Sequence, residues 1–168
     1  SLGEYSALVA SGIISFEDSL ELITHRANLM QRAVPEGTGA IAAIVGLEEN
    51  KILEVCNMVS KDKNELVDTA NINSPQQIVI AGTKKGVDAA IKACKLVGAK
   101  RAVPIAMNVP SHCKLMKPAS EEFSSILDQI KFNPPAIPII NNVDANFPDS
   151  TEILKTNPDG IFLSNGPG

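Results

Sequence analysis

Apolar residues recur with two different periods along the chain, and the change of period predicts where helices give way to strands. Residues 2–11 and the stretch after Ser15 have helical spacing, with Gly12 between them as a C-cap. One buried stripe is expected on the second helix, formed by Phe16, Leu20, Ile23, Ala27 and Met30. Arg26 lies about 80° and His25 about 180° from the centre of that stripe, so His25 should face solvent.

A self-contained unit is predicted between residues 39 and 108. Short apolar stretches predict four strands, at 40–46, 66–72, 77–81 and 99–107. Helical periodicity predicts two helices, at 48–60 and 85–97. The order β-α-β-β-α-β is that of a ferredoxin-like sandwich, in which two helices cover four antiparallel strands. Beyond it, a helix is expected at about 115–130 and a strand with a proline-restricted entry within 132–142.

The segments on either side of this unit are each too short to fold alone. We expect residues 1–38 and 109–145 to form part of one α/β layer, with residues 39–108 inserted between them. Residues 146–168 are a tail of uncertain origin. In such an arrangement His112, remote in sequence, can lie beside Ser1.

Composition narrows the class of protein. Apolar residues make up 44% of the 168 residues, enough for a packed core, yet no run reaches the ~20 apolar residues of a membrane span. The cysteines are Cys56, Cys94 and Cys113, an odd number without a Cys-x-x-Cys pair. This favours reduced thiols in a cytoplasmic protein over a disulfide framework or a zinc site.

The net charge of −4 conceals a basic stretch. Residues Lys84 to Lys117 include eight basic residues and one acid, Asp88, a net +7 that leaves −11 for the rest of the chain. A basic stretch in an acidic protein suggests an anionic partner, although a solvated lysine face of one helix would explain 84–95 equally well. Nucleic acid is not expected, because no aromatic residues are interleaved for stacking.

Three residues are candidates for chemistry. Ser1, followed by Gly3 and a helical run, matches the right half of a nucleophile elbow. A serine needs a base, and His112, in a Pro-Ser-His loop, is the better placed of the two histidines. Arg26 at the edge of a core can offer a planar fork to a carboxylate. The plainer alternatives are a loop histidine without a role and an arginine that reaches solvent.

Six blocks of sequence, taken together, resemble the malonyl-CoA:acyl carrier protein transacylase family over about residues 1–145. They lie at residues 1–8, 25–31, 37–40, 73–82, 109–118 and 141–144. The resemblance implies an α/β fold: part of an α/β-hydrolase-like acyltransferase core with an inserted ferredoxin-like subdomain. It implies the substrates malonyl-CoA and phosphopantetheinylated acyl carrier protein, and no cofactor.

The resemblance also implies roles for individual residues. Ser1 would be the nucleophile, and His112 its general base and later acid. Arg26 would hold the free carboxylate of malonate. The amide of Leu2 would be half of the oxyanion hole, and Met30 would also bind substrate. Because carrier proteins of such systems are acidic, the Lys84–Lys117 stretch would be the docking face.

Some features depart from that family. The Gly-His before the serine is not among these 168 residues, nor are the family's oxyanion-hole glutamine and the later part that orients the histidine. We therefore expect little or no transacylase activity from this polypeptide alone. Residues 157–168 resemble the opening block of the glutamine amidotransferase domain of carbamoyl-phosphate synthase small subunit, which suggests a junction near 146–152.

Two other functions remain open at the level of sequence. A ferredoxin-like module that binds a small molecule without catalysis would make residues 39–108 the functional part. An N-terminal nucleophile hydrolase would use the α-amine of Ser1 as its base, but the helix-rich start does not suit the stacked sheets of that class.

Overall fold

A computed structural model describes residues 2–62, 65–107 and 109–139. The helices are α1 (Leu2–Ala10), α2 (Phe16–Ala33), α3 (Glu49–Asp62), α4 (Lys84–Leu96) and α5 (Lys117–Leu127), with a 3₁₀ turn at Lys114–Met116 before α5. The strands are β1 (Gly39–Val45), β2 (Val67–Ser74), β3 (Gln77–Thr83) and β4 (Arg101–Ile105). From β1 to β4 the elements follow the predicted order β-α-β-β-α-β.

The four strands form one antiparallel sheet in the order β2-β3-β1-β4. Alternation along β1 sends Ala42 and Ile44 toward helices α3 and α4, where they join the main apolar core. Ile41, the residue before Ala42, points to the opposite face. Long-range pairing of this kind explains why four short apolar stretches, none stable alone, form a sheet here.

The face of the sheet opposite the two helices has a smaller apolar cluster. It consists of Ile41, Val79 and Ala81, and Cys113 packs against it from the loop that follows β4. The sheet therefore supports two layers: helices α3 and α4 on one face, and the loop around Cys113 on the other.

Helix α2 begins where the sequence predicts, but it buries a different face. The backbone N–H of Asp18 donates to Ser15 Oγ at 2.9 Å, which is the predicted N-cap. The buried and half-buried positions are Asp18, Ser19, Leu22, Ile23, Arg26, Leu29, Met30 and Ala33. The centre of this face lies about 90° from the centre of the predicted stripe, and only Ile23 and Met30 belong to both. Phe16 and Leu20 are instead 60% and 50% exposed.

The predicted stripe of α2 differs from the observed buried face for a simple physical reason. Apolar residues cover about half of the circumference of α2, which is wider than the face that is buried. Hydrophobicity alone therefore does not select the buried face, and contacts with other elements decide. The consequence concerns Arg26, which was expected at the flank of the stripe and lies within the buried face.

The chain divides into two compact units, residues 1–25 with 126–168 and residues 26–125. In the first unit, Ala7 and Ile14 are buried, and the segment after α5 is bonded to the turn after α1. The N–H of Asn133 donates to the Ile13 carbonyl at 2.9 Å, and the N–H of Ala136 donates to the Ser11 carbonyl at 2.8 Å.

The strand predicted within residues 132–142 is not observed as far as residue 139, where the description ends. Pro134, Pro135 and Pro138 have no backbone N–H, so this part of the chain cannot donate the regular bonds of a ladder. The predicted domains 1–38 with 109–145, 39–108 and 146–168 stay a prediction, since the two compact units follow a different division.

The second unit contains the sheet and all three cysteines, which are free. Burial raises the pKa of Cys56 to about 12 and that of Cys94 to about 11. Both thiols lie in the main core and stay protonated at neutral pH, whereas Cys113 is half-buried. In the described part of the chain, no helix has the length and apolar character needed to cross a membrane.

Candidate active site

A cavity of about 230 Å³ opens between helix α2 and the loop that leads into α5, within the second unit. Its walls are formed by Arg26, Leu29, Met30, His112, Met116, Ala119, Ser120 and Phe123. Three of the five residues singled out from sequence therefore line one cavity: Arg26 and Met30 lie on α2, and His112 follows more than 80 positions later. The sequence did not point to the remaining five residues of the wall.

Arg26 is the cationic residue of this wall, and it is half-buried. Five of its neighbours in the wall are apolar: Leu29, Met30, Met116, Ala119 and Phe123. A charge in such surroundings interacts more strongly with an opposite charge than it would in water. The cavity is therefore suited to a small ligand with a carboxylate, which the planar guanidinium can bind through two hydrogen bonds.

His112 lines the cavity with one side and is exposed on the other. Its backbone has φ of +60°, and no other described residue besides glycine has positive φ. Histidine is tolerated in this region better than most residues, at a cost of about 1–3 kcal/mol. Partial burial lowers the pKa of His112 below its usual 6.5, and the Arg26 cation lowers it further. The imidazole is thus neutral at pH 7 and able to accept a proton.

Local bonds hold the loop around His112 in a tight conformation. The N–H of Ser111 donates to the Val109 carbonyl at 2.9 Å, and the Cys113 thiol donates to the Pro110 carbonyl at 3.0 Å. The N–H of Met116 donates to the Cys113 carbonyl at 2.9 Å and closes the 3₁₀ turn. These bonds flank His112 on both sides and restrict the backbone of the loop, from which the His112 side chain reaches the cavity wall.

Helices α2 and α5, which form opposite walls of the cavity, are also joined at the surface. Arg32 Nη2 lies 3.1 Å from Glu122 Oε1, with both side chains more than 60% exposed. Because both side chains are exposed, a pair of this kind contributes little to stability.

Two predicted site residues cannot be placed in this cavity. Ser1 lies outside the described residues. Leu2 is the first residue of α1, is 58% exposed and belongs to the first unit. His25 pairs with Glu21 at 3.6 Å on the exposed face of α2, which confirms that it faces solvent. Across residues 2–62, 65–107 and 109–139, no group of three or more His, Cys, Asp or Glu side chains could hold a metal ion.

The basic stretch is divided by the sheet. All eight of its basic residues are exposed. Lys84, Lys85, Lys92 and Lys95 project from the outer side of α4, on the helix-covered face of the sheet. Lys114 and Lys117 belong instead to the segment that forms the cavity wall. Arg101 also points to this second face, because the next residue of β4, Ala102, is buried against the helices.

Comparison with known proteins identifies the family to which these features belong. The sequence pattern of the acyl transferase domain matches residues 1–156. The chain belongs to the acyl transferase domain family. The match continues past residue 145, where the resemblance described above ended, and across the predicted junction at 146–152.

Similar acyl transferases come from several bacteria. The chain is 51% identical over 144 residues to the malonyl CoA-acyl carrier protein transacylase of Haemophilus influenzae, covering 86% of this chain and 46% of that protein. It is 48% identical over 161 residues to the protein of the same name from Escherichia coli K12, covering 96% and 49%. The chain thus spans about half the length of the curated relatives it matches.

Solved structures of malonyl transferases are also similar to this chain. The chain superposes with a TM-score of 0.82 and 47% identity on a type II PKS acyl-carrier protein complex with its malonyl-transacylase, covering 91% of this chain and 49% of the matched one. An acyl carrier protein S-malonyltransferase from Vibrio cholerae gives a TM-score of 0.79 at 51% identity, covering 84% and 45%. These comparisons do not favour the alternative of a binding module without catalysis.

Proposed function

We propose that this acyl transferase moves a malonyl group from CoA to acyl carrier protein through a serine acyl-enzyme, as a step of fatty acid biosynthesis. The observation that carries the proposal is the cavity, in which a half-buried arginine and a histidine with a lowered pKa share one apolar-walled space. The names of relatives that are about half identical to the chain point to the same substrates.

The proposed acyl transfer has two steps, formation of the acyl-enzyme and its transfer to the carrier protein. Neutral His112 takes the proton of the Ser1 hydroxyl as its oxygen attacks the thioester carbonyl, and the tetrahedral oxyanion is bound by backbone amides, Leu2 supplying one. Collapse breaks the C–S bond, and CoA leaves as a thiol with the proton from His112. The phosphopantetheine thiol of the carrier protein then attacks the serine ester, with His112 as base and then acid, and Ser1 is regenerated.

Selection of malonate rests on Arg26. Malonyl-CoA differs from acetyl-CoA by one carboxylate, and a cation within apolar walls forms an ion pair with that group that a substrate without the carboxylate cannot form. Met30 and Phe123 belong to the same walls and limit the space beside the carboxylate. The cavity, at about 230 Å³, is large enough for a malonyl group but small for a long acyl chain.

For the architecture we propose that β1 to β4 with α3 and α4 are a ferredoxin-like subdomain inserted in an α/β-hydrolase-like core formed by 1–38 and 109–145. The strand order β2-β3-β1-β4 supports this proposal. Residues 157–168 lie outside the described part of the chain, and their resemblance to an amidotransferase block stays a prediction. The cytoplasmic location likewise stays a prediction.

The acyl-enzyme is tested by intact-protein mass spectrometry after incubation with malonyl-CoA. Two forms are compared: this chain, and this chain extended at its N-terminus with the corresponding segment of the E. coli transacylase. We expect one malonyl adduct on the extended form, lost in Ser1→Ala and retained in Ser6→Ala, a control at an exposed serine of α1. The same assay on the unextended chain tests the expectation of little activity.

An adduct that persists in Ser1→Ala would assign the nucleophile to another residue. The complete lack of an adduct on the extended form would overturn the proposed function.

We further propose that the acidic carrier protein docks on the cations of the cavity side, Arg101, Lys114 and Lys117, and not on the lysines of α4. The sheet separates the α4 lysines from the cavity, so those side chains suit the alternative of a solvated helix face. Exposed charges at the rim of an interface mainly accelerate association and are screened by salt.

Charge reversal tests this division. Arg101→Glu with Lys117→Glu is expected to raise KM for carrier protein roughly tenfold at low salt, and less at high salt. The matched control, Lys92→Glu with Lys95→Glu, removes the same charge from the same stretch and should leave KM unchanged. Equal effects of the two pairs would contradict a docking face on one side of the sheet. An effect on KM for malonyl-CoA alone would instead assign the cations to the phosphates of CoA.

A further inference from the structure

An acidic residue on strand β2 contacts the loop that bears His112. Val67 is buried in the core beneath the helices, so alternation sends Asp68 to the opposite face of the sheet. Cys113 packs on that face. Asp68 is therefore placed under the loop that bears His112, although the loop comes more than 40 residues later in the chain. The sequence analysis did not single out Asp68, and the signal that could have done so is a charged residue within a strand.

Asp68 makes two contacts with the residue at the start of the 3₁₀ turn. Its Oδ2 accepts the backbone N–H of Lys114 at 3.1 Å, and its Oδ1 lies 3.1 Å from Lys114 Nζ. Cys113, which occupies the N-cap position of the turn, makes no side-chain cap bond. The carboxylate thus supplies from a distant strand the cap that the local sequence lacks.

The contact between Asp68 and Lys114 lies next to His112 and can therefore affect the position of the imidazole. Lys114 is two residues after His112, whose φ of +60° is an unfavourable conformation that the surroundings must maintain. A bond from the sheet to the backbone of Lys114 fixes the loop on its C-terminal side, and the bonds around Pro110 fix it on the other.

We propose that Asp68 is a positioning residue, which clamps the loop to the sheet and so holds the His112 imidazole in the cavity wall. Its consequence for catalysis rests on the proposed function, but the clamp itself is a property of the folded chain and can be measured without substrate. The side chain of Asp68 is 22% exposed and that of Lys114 is 76% exposed. The bond to the backbone amide should therefore matter more than the ion pair, which solvent screens.

Three variants separate the two contacts. Asp68→Ala removes both of them. Asp68→Asn removes the charge but keeps an oxygen that can accept the Lys114 N–H. Lys114→Ala removes the ion pair and keeps the backbone bond. Glu121→Gln is the matched control, because it breaks an exposed lysine–carboxylate pair of α5 at 3.7 Å that does not involve the loop.

The first readout is the rate at which iodoacetamide alkylates Cys113, followed by peptide mapping on the 168-residue chain. Cys56 and Cys94 are buried and serve as internal references for global unfolding. Loss of a charge-assisted hydrogen bond is expected to accelerate alkylation of Cys113 about tenfold in Asp68→Ala. Asp68→Asn and Lys114→Ala should change it by at most about threefold, and Glu121→Gln not at all.

Burial raises the pKa of Cys113, and the Asp68 carboxylate also raises it, so loss of that charge alone would increase the thiolate fraction. Asp68→Asn controls for this, because it loses the same charge. Equal acceleration in Asp68→Asn and Asp68→Ala would show an electrostatic effect and overturn the clamp. An unchanged rate in Asp68→Ala would overturn it as well.

The second readout is the His112 imidazole resonance in NMR titrations, with His25 as the reference. In Asp68→Ala we expect the pKa of His112 to rise toward 6.5 as its side chain becomes more solvated. Asp68→Asn should titrate like the wild-type protein. If Asp68→Ala does not fold, the proposal is still tested by Asp68→Asn, and a changed titration of His112 in that variant would contradict it. A clamp effect without serine malonylation would refute the proposed function alone, and malonylation without a clamp effect would refute this proposal alone.

Discussion

Replacing Arg26 by alanine is expected to lower kcat/KM for malonyl-CoA roughly a thousandfold, because the substrate carboxylate would then enter the apolar walls of the cavity without a counter-charge. Transfer from acetyl-CoA, which has no such carboxylate, should change little or improve. The measurement is the rate of acyl-enzyme formation with each thioester in the form of the protein that carries the adduct.

Two further arginine variants sharpen this prediction. Arg26→Lys should restore only part of the malonyl rate, because an ammonium group does not offer the planar pair of donors. Arg32→Ala is the control on the same helix; Arg32 is exposed and bonded to Glu122, so its loss should alter the rate by no more than about twofold. A parallel loss of malonyl and acetyl transfer in Arg26→Ala would contradict a role in selecting the carboxylate.

Replacing His112 by asparagine is expected to slow acyl transfer by about 10²–10⁴, with KM for malonyl-CoA little changed, because the general base is lost while Arg26 remains. Asparagine is chosen because it tolerates positive φ, so the loop can keep its conformation. His25→Asn is the matched control on the exposed face of α2 and should have no effect. Single-turnover transfer measured by rapid quench gives the rate, and a normal rate in His112→Asn would exclude His112 as the base.

The lowered pKa of His112 gives this prediction a pH dependence. Because only the neutral imidazole accepts a proton, kcat/KM of the wild-type protein should fall as the pH drops through a value below 6.5, and not at 6.5 itself. The unfolded chain, with an ordinary histidine pKa, binds more protons in that range. The free energy of unfolding contributed by this group is therefore present above pH 6.5 and is lost as the pH falls through the lower folded value. An activity limb at or above pH 6.5 would contradict the burial of His112 in the cavity wall.

The main features of the sheet and of the helices packed on it could be predicted from sequence because their signals are local. Strands such as Gln77–Thr83 are short apolar runs bounded by turn residues, and α4 begins where the apolar period changes from two to 3.6. The solvent-facing position of His25 was likewise a matter of local helical geometry. The prediction of a strand near Ile137 was wrong for the residues described there, which end at 139. The prolines of this segment have no N–H to donate to a strand ladder.

Motifs also identified Arg26 and His112 as candidates, but not that their side chains line one cavity. Order along the chain does not reveal that α2 and the loop before α5 form the walls of one cavity. It also did not reveal that the basic stretch is divided by the sheet, which puts Lys92 and Lys117 on different faces. Both facts depend on which elements pack together, and that is decided by long-range contacts between apolar surfaces.

The sequence by itself determined the order of the elements, the family and the residue types available for chemistry, because each of these is encoded in local spacing or in motifs. Only the tertiary structure decided which face of α2 is buried, and with it that Arg26 points into the cavity. Only the tertiary structure brought Asp68 beneath the loop of His112. Both outcomes follow from packing between segments distant in sequence, where the loss of apolar surface to water selects among arrangements that local patterns leave equivalent.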